Sequence, residues 1–429
     1  MNTDKKQTAE YAKECLEFIG KSVSCYHAVA NIEELLQKSG FEELKESEAW
    51  KITEGGNYYV KRNGSSLIAF RLPTKEIKGF HIVASHSDSP AFKLKENPEM
   101  TSDSAYTKLN VESYGGMIYS TWFDRCLSIA GRLVCQKDGK IKEENVCVDE
   151  DLLVIPSLAI HMNREANKGM EYNTQVDLLP VMGSGDAKGY LKEKLTQAAG
   201  VKPEEILGSD LFLYVREKGK ITGANAEWIM SPRLDDLECV YASAEGLVES
   251  IPEEYCSMCA VFDNEEVGSH TRQGAASTFL KDTLERIGEA LKKQGSEYLR
   301  LLADSFMISA DNAHSLHPNH PEKADPVNRP ILNGGIVIKH HGGQKYTTDG
   351  VSAAYMRMLC REAEVPCQDY NNRSDIPGGS TLGNISAGQV SIPTVDIGLA
   401  QLAMHSAVET AGSRDIAYLV KALKVFYEK

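Results

Sequence analysis

The sequence predicts an α/β protein in which a sheet with flanking helices is interrupted by an inserted, β-rich unit. Three observations predict it. Apolar strand-like runs alternate with helical stretches before about residue 90 and again after about residue 233. Between them, strand-like runs and polar turns dominate. The chain therefore divides into a discontinuous domain, residues 1–90 and 233–429, and an insertion, residues 91–232. The third observation is chemical. Several apolar runs of the outer domain end at a His, Asp or Glu, and open α/β sheets bind their ligands beyond the carboxyl ends of the strands.

Taken in order, residues 8–40 read as two amphipathic helices punctuated by Gly20 and Ser22. Residues 57–72, with YYVKRNGSSLIAFRL, read as a hairpin turning at Asn63 and Gly64. Residues 79–85 form a buried strand that ends in His86, with Asp88 two positions on. Within the insertion, residues 109–123 and 152–162 (LLVIPSLAIHM) read as strand-rich, with one helical piece near 187–199. Beyond it come a helix over 234–250, a strand over 255–262 and a long helix over 275–295. Strands at 305–310, 335–338 and 393–397 follow, with a helix over 348–364 among them and a terminal helix over 407–427. Strands alternating with helices imply a parallel or mixed sheet.

Bulk properties exclude several classes of function. At 429 residues the chain can hold two or three domains and a large core. A net charge of −14 argues against nonspecific nucleic-acid binding and against anionic membrane surfaces. No apolar run spans a bilayer, and the start MNTDKKQTAEYAKE lacks a signal-peptide core. The ten cysteines show no small-domain disulfide pattern, so they read as reduced thiols in a cytoplasmic protein. Cys256 and Cys259 form a lone CxxC that reads as buried beside a strand.

The stretch VFDNEEVGS carries the chemistry. A buried strand ends abruptly in Asp263, Asn264, Glu265 and Glu266, and Gly268 turns the backbone. Adjacent acids at the end of a buried strand are costly without a cation beside them. A metallohydrolase uses such a pair as one metal ligand and one general base. Five segments place a metal-type residue at or near a strand end: His86, Asp235 in RLDDL, Glu266, Asp311 in SADNAH and His405 in LAMHS. Two histidines and three carboxylates suit a pair of divalent ions, zinc first, with manganese or cobalt open. Asp88 is spaced to accept the second ring N–H of a metal-bound His86.

These residues resemble the aspartyl aminopeptidases, two-zinc peptidases that remove acidic residues from peptide N-termini. The resemblance spans almost the whole chain. It includes HSDSPAFKLK at His86, YGGMIYSTWFDR at Tyr114, RLDDL at Arg233, DNEEVGS at Asp263, SADNAHSLHPNH at Ser309 and QLAMHS at Gln401. It implies that His86, Asp235 and Asp311 hold one ion, that Asp235, Glu266 and His405 hold the other, and that Glu265 is the general base. It implies a zinc-peptidase α/β domain interrupted by a β-rich dimerisation domain, and a large homo-oligomer, commonly a dodecamer. It points to Lys339 and Tyr346 as partners of the acidic substrate side chain, and to His161 as a residue reaching a neighbouring subunit's site. Ser87, Cys126 and Gly378 depart from the family pattern, where Thr, Asp and, in animal members, Cys stand. None is a proposed ligand.

The substrate expected is a peptide with a free N-terminus. Two alternatives stay open: a related two-metal aminopeptidase of different or broader specificity, and a non-catalytic assembly or cargo protein on the same scaffold. His314, His317 and His320 spell HxxHxxH, but Pro318 and Pro321 make the segment a loop rather than a helix face. A structural or substrate-adjacent role is expected there.

Overall fold

The computed structural model describes residues 2–102 and 105–429, which fall into two compact units. The first comprises residues 1–88, 219–404 and 409–429, and the second residues 89–218 and 405–408. The second chain boundary lies at residue 218 and not at 232. Strands Lys220–Thr222 and Trp228–Ser231 pair onto Glu409–Gly412 and so belong to the first unit.

The first unit is built on a nine-stranded mixed sheet. Its strands are β1 (Glu42–Leu44), β2 (Asn57–Arg62), β3 (Ser66–Arg71), β4 (Phe80–His86), β5 (Cys256–Phe262), β6 (Phe306–Ala310), β7 (Ile336–His340), β8 (Cys367–Asn371) and β9 (Thr394–Gly398), in spatial order β1-β2-β3-β5-β4-β6-β9-β7-β8. The expected hairpin is β2–β3, and Asn63 and Gly64 both take positive φ in its turn.

The central strands are apolar on both faces because helices cover both. Alternate residues of a strand face opposite sides. Val83 of β4, Val261 of β5 and Ile308 of β6 accordingly join one core. That core includes helices α1 (Asn2–Lys21), α2 (Cys25–Lys38), α3 (Leu234–Glu249), α5 (Gly350–Glu362) and α6 (Asp415–Glu428). Ile82, Ala84, Met258 and Ala260 join the opposite core, which includes α4 (Phe279–Ala290). Each fully buried Val, Ile or Met among them contributes about 1.5–3 kcal/mol by burial. Cys256 and Cys259 lie in β5, 0 % and 1 % exposed, and burial raises both thiol pKa values. All ten cysteines are free thiols.

Strands β5, β4, β6 and β9 run parallel, with Phe262 opposite His86, Ala84 opposite Ser309, and Ala310 opposite Ile397. Their carboxyl ends therefore form one edge, and that edge positions the candidate site.

Several expected elements differ, among them the helix expected over 275–295, which spans Phe279–Ala290. The terminal helix begins at Asp415, because Glu409–Gly412 is claimed by a sheet with Trp228–Ser231 and Ala400–Leu402. In the second unit, residues 152–162 make only isolated bridges at Leu153, Val154 and Ile155. Pro156 removes a ladder donor there, and residues 156–162 are exposed. The rest of that unit is a six-stranded antiparallel sheet carrying one helix, Tyr190–Ala199. Among the described residues, no helix is long and apolar enough to cross a membrane.

Candidate active site

Three neighbouring strand ends and one helix start build the site of the first unit. His86 closes β4 and is 1 % exposed. Its Nδ1 lies 3.0 Å from the Asp88 backbone carbonyl and 3.3 Å from the Asp88 carboxylate. Its Nε2 faces Asp235, 3.8 Å from Oδ1. The ring is thus held through Nδ1 while Nε2 points at the carboxylates. Burial pulls the His86 pKa down, but the Asp88 hydrogen bond and the charges of Asp236, Asp88 and Glu265 outweigh it and raise it well above the ordinary value.

Beyond β5 the chain makes a single 3₁₀ turn, Glu265–Val267, entered through Asn264 at φ 63° and left through Gly268 at φ 97°. The Asp88 carboxylate accepts the backbone N–H of Glu265 at 3.1 Å and of Glu266 at 3.2 Å. Burial, with help from Asp311, Asp88 and Asp235 and against His86, pushes the Glu265 carboxyl up to about 7.

Asp235 and Asp236 sit at the start of α3 in non-helical conformations, joined by a cis peptide, after Arg233 at φ 59°. The regular helix begins beyond them. Asp235 N–H donates to Glu409 at 3.0 Å, and His86 N–H donates to Asp236 at 3.2 Å. Burial raises the Asp236 pKa well above the carboxylate range, and Asp311 and Asp235 add to the shift while His86 opposes it.

Asp311 follows β6, and burial raises its pKa although Lys339 opposes the shift. Lys339 Nζ lies 3.7 Å from Asp311 and donates to the Asn312 carbonyl at 3.0 Å. It also stands 5.3 Å over the Tyr346 ring. Lys339 is 2 % exposed, so its charge is already engaged by a ligand-type carboxylate. The Asn312 amide ties this strand end to the Leu234 carbonyl at 3.1 Å and to Gln401 at 3.2 Å.

Two groups lie wholly within the first unit, each with ligand-type atoms within 4.8 Å of one another: His86, Asp235, Asp236 and Asp311; and His86, Glu265 and Glu266. A divalent ion fits this donor set. Several carboxylates share a buried space with one lysine, and burial already drives three of them toward protonation. An ion would supply the missing positive charge.

His405, at φ 65°, belongs to residues 405–408 of the second unit, and its Nδ1 is 2.7 Å from the Gly116 carbonyl. His161 is exposed in the same unit. His314, His317 and His320 join no metal-capable group among the described residues. Sequence reasoning missed Asp236 and Glu409. The first was visible as the second acid of RLDDL. The second carried no strand-end signal.

A buried His–carboxylate cluster at the carboxyl edge of a parallel sheet defines a metallohydrolase. The family model described as "Aminopeptidase I zinc metalloprotease (M18)" matches residues 18–427. The chain belongs to this M18 family of zinc metallo-aminopeptidases. It is 46 % identical to a "Probable M18 family aminopeptidase 2" of Clostridium novyi (strain NT), covering 98 % of this chain and 99 % of that one. Among solved structures, one described as the "Ape4 and Nbr1 complex" superposes with a TM-score of 0.95 at 36 % identity, covering 98 % of this chain and 86 % of that one. The "S. cerevesiae mApe1 dodecamer" superposes at 0.85 and 31 %, covering 98 % and 96 %.

Proposed function

We propose that the enzyme removes Asp or Glu from peptide N-termini with two divalent ions, zinc by preference. The observation that carries this reading is Glu265 beside a buried His–carboxylate group and fixed by Asp88. His86, Asp235 and Asp311 would hold one ion, and Asp235, Glu266 and His405 the other. When bound, the ions supply Lewis acidity toward the scissile carbonyl and lower the pKa of the attacking water. Glu265 takes the proton of that water and delivers it to the leaving amine. Asp88 holds His86 and the turn that aims Glu265.

The Glu265→Gln variant tests this. Metal content should persist while turnover of a chromogenic α-glutamyl substrate falls by about two orders of magnitude. Near-normal turnover would overturn the assignment.

Specificity for an acidic residue requires a cation or donors. Lys339 and Tyr346 are proposed to supply them, with Lys339 sharing its charge between Asp311 and the substrate carboxylate. Lys339→Met should reduce the ratio of Glu to Leu substrate turnover, and that ratio is insensitive to the amount of active enzyme. We further propose self-association through the inserted unit into a dodecamer, with His161 reaching a neighbouring subunit's site. Leu158, Ile160, Met162 and Val176 are exposed there, 48–75 % of their surface, and exposed apolar clusters mark contact surfaces. A cytoplasmic location is proposed from the ten free thiols.

A further inference from the structure

A cavity of about 340 Å³ lies in the first unit beyond Asp311 and is lined by His314, His317, His320, Lys323, Arg329 and Arg373 among others. None of its lining residues is Asp or Glu, although the chain as a whole carries a net charge of −14. The volume lies in the range of small-molecule sites and is generous for a single carboxylate side chain. Its wall holds three permanent cations, Lys323, Arg329 and Arg373.

The neighbouring acids are turned to other partners. Glu322 pairs with His320 at 3.2 Å, and Asp375 takes Arg373 through two contacts of 2.7 and 3.0 Å. Among the described residues, neither Lys323 nor Arg329 forms an ion pair. Lys323 interacts electrostatically with Glu322 and Asp375, and Arg329 with Asp325, but no described carboxylate makes direct contact with either, so both head groups remain open to a ligand. The cavity also adjoins the candidate site. His314 lies three residues past Asp311, on the short strand paired with Ala400–Leu402. Tyr370 in its wall stands 6.2 Å from His314 and 6.5 Å from Tyr346, whose ring carries Lys339.

We propose that this cavity binds the carboxylates of the peptide beyond the residue that is removed, so that acidic residues at the second and third positions favour hydrolysis. The inference rests on the aminopeptidase reading above. Lys323 and Arg329 supply long-range attraction that concentrates acidic peptide at the site. The guanidinium of Arg329 offers a planar fork that matches a carboxylate.

The test holds the N-terminal residue constant. On the full-length, zinc-loaded enzyme, kcat/KM is measured for Glu-Asp-Asp and for Glu-Ala-Ala, and the ratio is compared between the wild type and Lys323→Met/Arg329→Met. The ratio does not depend on how much of the variant folds. The loss of two exposed charge pairs predicts a fall of about fivefold. The wild-type preference should itself shrink as salt is added, and Lys323→Glu/Arg329→Glu should carry the ratio below that of the neutral variant. An unchanged ratio overturns the proposal. So does a variant that alters only Glu-Ala-Ala against Leu-Ala-Ala, which would make the cavity the site of the N-terminal side chain. If the wild type cleaves none of these peptides, it is the aminopeptidase reading that fails.

Discussion

Asp88 and Glu265, 177 residues apart in sequence, are joined by a hydrogen bond of 3.1 Å from the Glu265 backbone to the Asp88 carboxylate. The other carboxylate oxygen takes Glu266 in the same way at 3.2 Å. One side chain therefore sets the position of both glutamates and also touches the His86 ring. Asp88→Asn keeps one acceptor and replaces the other with a donor that faces an N–H. The expected outcome is a loss of activity of about 10–100-fold with reduced metal affinity. Steady-state kinetics and metal analysis of the dialysed variant check it. Unchanged metal affinity and activity would remove Asp88 from the machinery.

Metal removal should destabilise the enzyme as well as inactivate it. Asp235, Asp236 and Asp311 share one buried group with His86, and Lys339 is the lysine that faces them. Ions that bind the folded state alone raise its stability in proportion to RT ln(1 + [L]/Kd). Chelated protein should melt at a lower temperature, and zinc should restore the melting temperature in a concentration-dependent way. Titration to saturation should end at two ions per chain. A plateau at one would remove the dinuclear centre.

Much of this site is legible in the sequence, for a physical reason. A buried strand must stop being apolar where it leaves the sheet, so His86, Glu265 and Asp311 stand out at the ends of runs such as FHIVAS and CAVF. What is not legible depends on pairings across long separations. Glu409 meets the Asp235 N–H across 174 residues. Residues 409–412 look helical in isolation, and become a strand because Trp228–Ser231 lies alongside. Lys339 looks like a strand-end surface residue until its strand is set between β9 and β8 and its Nζ meets Asp311.

Glu245 gives a pH dependence separate from catalysis. It lies on α3, where burial first, then Glu249 and Glu14, push its carboxyl up to about 7 from an ordinary 4.5. Tyr241 also interacts with Glu245, and it donates to Glu14 at 3.1 Å. Lys424 lies 3.6 Å from Glu249, which also accepts from Tyr11 at 2.7 Å. A raised acid pKa means the folded state binds the proton more tightly, so stability is lost as pH rises from about 4.5 through about 7. Glu245→Gln removes that loss. It should stabilise the protein at pH 8 by roughly 1 kcal/mol, after discounting for partial solvent contact. The gain should vanish near pH 4. Thermal melts of the metal-loaded protein across this range check it, and a gain independent of pH would refute the assignment.

The last prediction concerns assembly. His161 is exposed between Ile160, 48 % exposed, and Met162, 75 % exposed, on a segment whose strand pairing stops at Ile155. An isolated subunit has no evident use for two exposed apolar side chains around a histidine. A second copy docked there would bury them and could receive the imidazole in its own site. There the ring would donate to the developing oxyanion, a contact strongest in the transition state. If so, a subunit lacking His161 still offers an intact Glu265 site, and a subunit lacking Glu265 still offers an intact His161. His161→Ala and Glu265→Gln are each expected to be nearly inactive. Mixed under conditions of subunit exchange, they should recover part of the wild-type activity, because some pairs combine one complete site. Exchange is verified independently with differently labelled subunits. No recovery despite verified exchange would confine His161 to its own subunit, or to no catalytic role.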